Sequence, residues 1–239
     1  MRIDIWSDIV CPFCYIGKRR FEKALAAFPH RDEVEVAWHS FELDRNADAV
    51  SEHSLVDLIA TKYGTTREQA IAQHESLAAQ AAELGLDFQW QRARYGNTHD
   101  AHRIVHLAAE RGRAGEAHER LMRAYFTEGE AVGDRETLVR LATEIGLGED
   151  EVRAMLDSDD YGNHVRSDQA TAKMIGIEGV PFFVLDRKYG LSGAQPVELF
   201  SQALQQAWDT RHEEPELREA AGCGGGCGNG ACGSGACTA

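Results

Sequence analysis

A net charge of −14 over 239 residues argues against nucleic acid and anionic membrane surfaces as partners, because both demand clustered Lys and Arg. Hydrophobic residues make up 43% and charged residues 27%, the balance of a water-soluble globule of one large or two small domains. The sequence offers no run of about 18 apolar residues to span a bilayer. Ile3-Asp4-Ile5-Trp6 reads as a short strand, entered from Met1-Arg2 without the apolar segment of a secretion signal. The expected address is therefore the cytoplasm, where paired cysteines serve catalysis or metal binding rather than stable cross-linking. Phe21, Leu25 and Phe28 share one face of a helix that stops at Pro29, and residues 34–40 alternate like a strand. From about residue 49 to 174 the pattern is helical. Leu55, Leu58 and Ile59 form one face ending at Gly64. Thr66 followed by Gln69 predicts a capping box on a helix running through Leu84 to Gly85. Further helices are predicted from near Thr98 and over 116–126, 135–145, 150–156 and 161–174. Strand patterns return at 182–185 and, more weakly, at 189–192, before a last helix over 197–208. No internal repeat is evident. The order is β-α-β, a long helical block, then β-β-α: an α/β fold with an all-helical insertion.

The stretch that carries chemistry is Asp8-Ile9-Val10-Cys11-Pro12-Phe13-Cys14, between the first strand and the first helix. Strand, tight turn, Cys-x-x-Cys and helix is the layout of a thioredoxin-like redox centre. Two thiols on a first helical turn can close a small disulfide ring. The leading cysteine sits where unpaired N–H groups and the helix dipole favour a thiolate, and Pro12 suits a position whose N–H has no partner. Half of a zinc site is the competing reading of such a pair. The distant segment Gly176 to Leu185, a strand entered through Pro181, decides between them.

Cys11-Pro12-Phe13-Cys14 together with Gly179-Val180-Pro181 resembles the DsbA family. Asp8 to Pro12, Ser40-Phe41-Glu42-Leu43-Asp44 and Asn97-Thr98-His99-Asp100-Ala101-His102-Arg103 resemble its FrnE-like branch. That branch lies close to 2-hydroxychromene-2-carboxylate isomerases and kappa-class glutathione transferases. The resemblance covers about residues 1 to 210. It implies a thioredoxin-like domain from 1–48 and 175–210, the helical insertion at 49–174 and a tail at 211–239. Pro181 is then a cis proline facing the cysteines. Cys11 becomes an exposed nucleophile and Cys14 a shielded resolving thiol, with Pro12, Phe13 and Val180 bordering the substrate. Asn97 and His102 are expected near the cleft. Strongly oxidising relatives carry histidine between the cysteines; Phe13 brings no charge, so a less oxidising, reductase- or isomerase-like pair is expected. Other thioredoxin-like proteins bury a carboxylate about six positions before the nucleophile. Here Ile5 stands there, flanked by Asp4 and Asp8, and the sequence does not choose between them.

His99, His102 and His106 fall on one helix face, either as metal ligands or as hydrogen-bonded groups turned toward the core; we expect the latter and no metal. The tail places Cys223, Cys227, Cys232 and Cys237 among glycines, a composition that cannot offset its ordering entropy and is expected to be disordered when reduced. A second dithiol relaying electrons to Cys11 and Cys14 is the expectation there; loose zinc binding and inert thiols are the alternatives. The functional expectation is a cytosolic thiol–disulfide oxidoreductase. It uses no cofactor beyond its own dithiol, with glutathione as one candidate reductant. Protein or small-molecule disulfides and thiols are the expected partners, and a homodimer is allowed. Two other classes compete. A glutathione-dependent isomerase or transferase is disfavoured because those relatives place serine where Cys11 stands; a chaperone or metal-binding protein is the third class.

Overall fold

The computed structural model describes residues 1–211. Strand β1 (Arg2–Ser7) alternates as its sequence dictates: Ile3 and Ile5 face one layer, Asp4 and Trp6 the other. Helix α1 (Pro12–Ala26) opens with proline in its first turn and crosses over to β2 (Glu35–Ser40), which runs parallel to β1. Strands β3 (Phe182–Leu185) and β4 (Tyr189–Ser192) return antiparallel, giving the order β2-β1-β3-β4. Helix α9 (Val197–Asp209) lies beside α1 on the face of Ile3 and Ile5. Phe21, Phe183, Phe200 and Leu204 fill the space between, with Phe183 and Phe200 edge to face at 4.7 Å.

The insertion holds α2 (Leu55–Tyr63), α3 (Arg67–Ala82), α4 (His99–Ala109), α5 (Ala114–Arg123), α6 (Arg135–Glu144), α7 (Glu149–Asp157) and α8 (Gly162–Met174). The capping box of α3 is complete: the Gln69 N–H donates to Thr66 Oγ1 at 3.2 Å, and the Thr66 N–H donates to Gln69 Oε1 at 3.0 Å. That helix ends at Ala82, two residues before the predicted Leu84. Leu86 N–H bonds back to the Ala81 carbonyl at 3.0 Å across Gly85, whose φ of 75° accommodates the reversal. Helix α5 continues into a wider π turn over Ala124–Glu128 before Gly129. The wider turn brings Ala124, Tyr125 and Phe126 inward together, which a 3.6-residue period does not anticipate. No helix among the described residues is long and apolar enough to cross a membrane.

Helix α1 belongs to two cores at once. Cys14, Tyr15 and Ile16 pack among Ile104, Leu121 and Met122 of the insertion, whereas Phe21 and Ala24 pack on the sheet. Where the cores meet, Lys18 is buried against Glu119 of α5 and bonds Glu22 at 2.6 Å. Arg19 reaches Glu119 at 2.6 Å and the Tyr15 hydroxyl donates to it at 2.7 Å. Burial alone would raise Glu119; Lys18, Tyr15 and Arg19 outweigh it and hold the carboxyl below the usual range. Removing one partner of a buried pair costs more than removing the need for it. Glu119→Ala should therefore lower unfolding stability by about 1–3 kcal/mol, tempered by the remaining Glu22, whereas Lys18→Met should cost less. Urea denaturation of the two variants checks the order; equal losses would mean that the ion pair does not fix α1 to the insertion.

Candidate active site

Cys11 occupies the N-cap of α1 with extended backbone (φ −88°, ψ 115°), and its carbonyl accepts from the N–H groups of Cys14 and Tyr15 at 3.1 and 3.3 Å. The Val180–Pro181 peptide bond is cis. It turns the Val180 carbonyl toward the first cysteine, 3.7 Å from Cys11 Sγ. Gly17, one turn beyond the cysteines, permits this approach, because a Cβ there would stand 2.9 Å from Pro181 Cγ. Two further bonds pin the loop: the Gly193 N–H donates to the Pro181 carbonyl at 2.8 Å, and Arg20 donates to the Ala194 carbonyl at 2.6 Å.

The sequence implied an exposed Cys11. It is instead 4% exposed, because the proline loop and the walls of a recess cover it, while Phe13 is 44% exposed at the rim. Cys14 is shielded as expected, at 1%. Burial pushes its thiol well above the ordinary value, the Cys11 sulfur adds to this, and the Asp8 N–H and Ser7 hydroxyl oppose it. Both thiols are free.

Asp8 lies under the pair. Its carbonyl accepts from the Cys11 N–H at 3.2 Å and its N–H points at Cys14 Sγ at 3.5 Å. Its carboxyl takes the Leu43 N–H at 2.8 Å and meets His102 Nε2 at 3.3 Å. Around it stand buried polar atoms without protein partners: Ser7 Oγ, His102 Nδ1, both ring nitrogens of His118 and the Tyr125 hydroxyl. Beside Cys11 opens a cavity of about 660 Å³ between α2, α3 and the π turn, lined by Phe13, Leu58, His74, Trp90 and Phe126 among others.

Three comparisons agree with this geometry. Residues 2–205 match the family model "DSBA-like thioredoxin domain". The chain belongs to the DSBA-like thioredoxin-domain family. Among curated proteins it is 28% identical over 210 residues to the uncharacterized protein YwbO of Bacillus subtilis, covering 85% of this chain and 96% of that one. Among solved structures it is 50% identical to the probable DsbA oxidoreductase SCO1869 from Streptomyces coelicolor. The TM-score is 0.85, with 88% of this chain and 91% of that one covered. The cytosolic disulfide reductase DsbM from Pseudomonas aeruginosa shares the fold, with a TM-score of 0.61 at 16% identity over 87% of this chain and 99% of that one.

Within this DSBA-like fold the predicted residues separate into two groups. Cys11, Cys14, Val180 and Pro181 converge, and Pro12 and Phe13 line the cavity. Asn97 and His102 do not line it. The Asn97 amide donates to the carbonyls of Arg45 and Ala47 at 3.3 Å each, and its oxygen accepts from the His99 N–H at 2.8 Å, so it braces the start of α4. His102 is fully enclosed and held by Asp8. Its neighbours on the helix face also meet acids: His99 lies 3.6 Å from Glu42, and His106 lies 3.2 Å from Asp168 and 3.0 Å from Ser40 Oγ. The four tail cysteines, Cys223, Cys227, Cys232 and Cys237, lie outside the described residues.

Sequence reasoning missed His39 and Asp168. His39 bridges Asp4 and Asp168, 2.8 Å from each, beneath the stacked ring of Trp6. Burial alone would lower His39; the two carboxylates outweigh it and raise its pKa, and Asp168 is held below the usual range against its own burial by His106, His39 and the Ser40 N–H. His118 was missed as well. It is buried against Trp38 at 4.4 Å, and desolvation pushes its pKa well below the usual value, with His102, Lys18 and His106 adding to this. For a base depressed in the folded state, the unfolded chain alone takes the proton as pH falls through about 6.5, so stability is lost on acidification. His118→Leu should remove this penalty and two unpaired nitrogens. Relative to the parent it should gain about 2 kcal/mol of stability between pH 8 and pH 5, read from urea unfolding at each pH. A constant difference would show that His118 does not titrate between the states.

Proposed function

We propose that the chain is a cytosolic thiol–disulfide oxidoreductase of reductase or isomerase character, on the FrnE-like branch of its family. The observation that carries this reading is the Val180 carbonyl 3.7 Å from Cys11 Sγ, with Cys14 sealed behind. A disulfide drawn into the recess meets Cys11 first. The Cys11 thiolate attacks one sulfur, the substrate S–S bond breaks, and the departing thiolate takes a proton. Cys14 then gives up its proton and attacks Cys11 Sγ. The mixed disulfide breaks and the second substrate sulfur leaves as a thiol. Two electrons have passed to the substrate, and the protein holds a Cys11–Cys14 disulfide. A low-molecular thiol returns the electrons; glutathione, present in the structure of Pseudomonas aeruginosa DsbM, is the reductant class we propose here. The Asp8 N–H, aimed at the Cys14 sulfur, favours the thiolate that burial disfavours.

Cys14→Ser should stop the cycle at the mixed disulfide and accumulate a covalent adduct with insulin, visible by mass spectrometry, while Cys11→Ser should form none. Turnover by Cys11→Ser would reject the assignment. The apolar Phe13 also sets an expectation for the redox poise. The pair should equilibrate with glutathione at about −180 to −270 mV, more reducing than a strong oxidant at about −120 mV. Phe13→His should shift it toward the oxidising end. A parent value near the strong oxidants would mean that the surroundings, rather than residue 13, govern the poise.

A further inference from the structure

The loop that brings Val180 to Cys11 leaves the end of α8, and α8 is tied to the sheet through Asp168. The Asp168 carboxyl takes the Ser40 N–H and meets His39 Nδ1, each at 2.8 Å, and lies 3.2 Å from His106 Nε2. Its main-chain carbonyl accepts from the Trp6 indole N–H at 3.0 Å. Trp6 packs with Ala172 and Ile177, and Val180 packs against that cluster. The anchor of α8 and the carbonyl that faces Cys11 therefore share one small core.

At the centre of the anchor an imidazole stands between two acids. His39 offers Nδ1 to Asp168 and Nε2 to Asp4, both at 2.8 Å. An ionised carboxylate only accepts, so both ring nitrogens carry hydrogen and the ring is an imidazolium. Against the pull of burial, Asp168 and Asp4 raise its pKa, in agreement with this geometry. The other charged and titratable groups here come from three elements. Arg2 of β1 lies 2.9 Å from Asp4 and 3.8 Å from Glu35 of β2. His106 of α4 meets Asp168, and His164 of α8 lies 5.5 Å from His106, ring to ring. Asp4 thus keeps Arg2 whatever His39 does, whereas the cations that face Asp168 are imidazoles. A neutral His39 has a single N–H, and one of its two acids then loses a donor.

We infer that His39, as an imidazolium between Asp4 and Asp168, is a positioning residue for the Val180 carbonyl opposite Cys11. When it gives one proton to water, α8 loosens on the sheet and the Val180 loop lifts from the sulfur. Cys11 is then less covered, and the carbonyl that lines up an incoming disulfide is displaced. The clamp is complete below about pH 6.5 and is lost as pH rises through the raised folded value. The inference rests on the dithiol function proposed above.

The test uses the reduced full-length protein. Nitrogen-15 shifts of the histidine rings, assigned with His39→Gln, read the protonation of His39 directly. It should remain an imidazolium at pH 7, where an unperturbed histidine is mostly neutral; a neutral ring there overturns the inference. His39→Arg keeps a permanent planar charge that can stack under Trp6 and donate to both acids, whereas His39→Gln has one donor end. Circular dichroism confirms that both are folded. Alkylation of Cys11 by iodoacetamide and its exchange with hydroxyethyl disulfide are then followed from pH 6 to pH 10. Once His39 has titrated, the parent should alkylate about tenfold faster than His39→Arg and exchange about tenfold more slowly. Below that titration the two proteins should match. His39→Gln should show both changes at every pH, with Cys14 still protected. A purely structural His39 would expose both cysteines together or leave both rates unmoved, and either result overturns the inference. So do rate ratios that do not follow the His39 titration. Alkylation that follows it, with no exchange by any of the three proteins, would instead overturn the dithiol reading and leave the positioning role standing.

Discussion

A carboxyl group cut off from water must find its hydrogen bonds inside the protein, and Asp8 finds them in two distant parts of the chain. Asp8 is 1% exposed. Its side chain takes the Leu43 N–H from the segment after β2 and His102 from α4, and its main chain holds both cysteines. The turn that carries the dithiol is thus fixed from below by the insertion as well as by the strand that precedes it. Moving α4 by an ångström would strand a buried polar group, at a cost of about 1–3 kcal/mol. The helical block is therefore part of the site, because the polar floor under Cys14 is built from its side chains.

The same dependence appears along α1. Its first turn is packed by the insertion and its later turns by the sheet, with Lys18 and Glu119 at the join. A helix shared between two cores cannot tilt toward either without opening the other, because interiors are close-packed. That rigidity is what lets a sulfur at the start of α1 keep its distance to a carbonyl in the loop before β3, nearly 170 residues later in the chain.

How legible this was depends on the range of each interaction. The dithiol at a helix start, the capping box of α3 and the strand alternation are local, and their residues state them. The spacing of His99, His102 and His106 placed them on one face, and the structure gives each an acidic partner. Which acids these are was not readable, because Glu42, Asp8 and Asp168 come from three distant segments. His39 lay in an alternating strand with nothing to mark it, since its meaning comes from Asp168, 129 residues away. Asn97 was legible as a polar residue before a helix and misleading as a cleft residue, because its amide is spent on the backbone. The exposure of Cys11 misled for a related reason. Cys11 lies in a recess lined by α2 and the π turn and against the Val180 carbonyl, none of which is visible in the dithiol motif.

Position 13 shows how the two halves of the site divide their work. A cation between the cysteines would favour the Cys11 thiolate and make the pair a stronger oxidant, whereas phenylalanine adds no charge there. Phe13 contributes surface instead: it is 44% exposed, and Leu43, which is 40% exposed, lines the same cavity. Below the cysteines the balance is reversed. There the chain tolerates unpaired nitrogens on His118 and His102, an arrangement that costs stability and persists where polar groups serve a site. The hydrogen bond that the Cys14 sulfur receives comes from the Asp8 N–H at this floor. Largely apolar surface thus lies above the dithiol and buried polar groups below it, with the start of α1 between them.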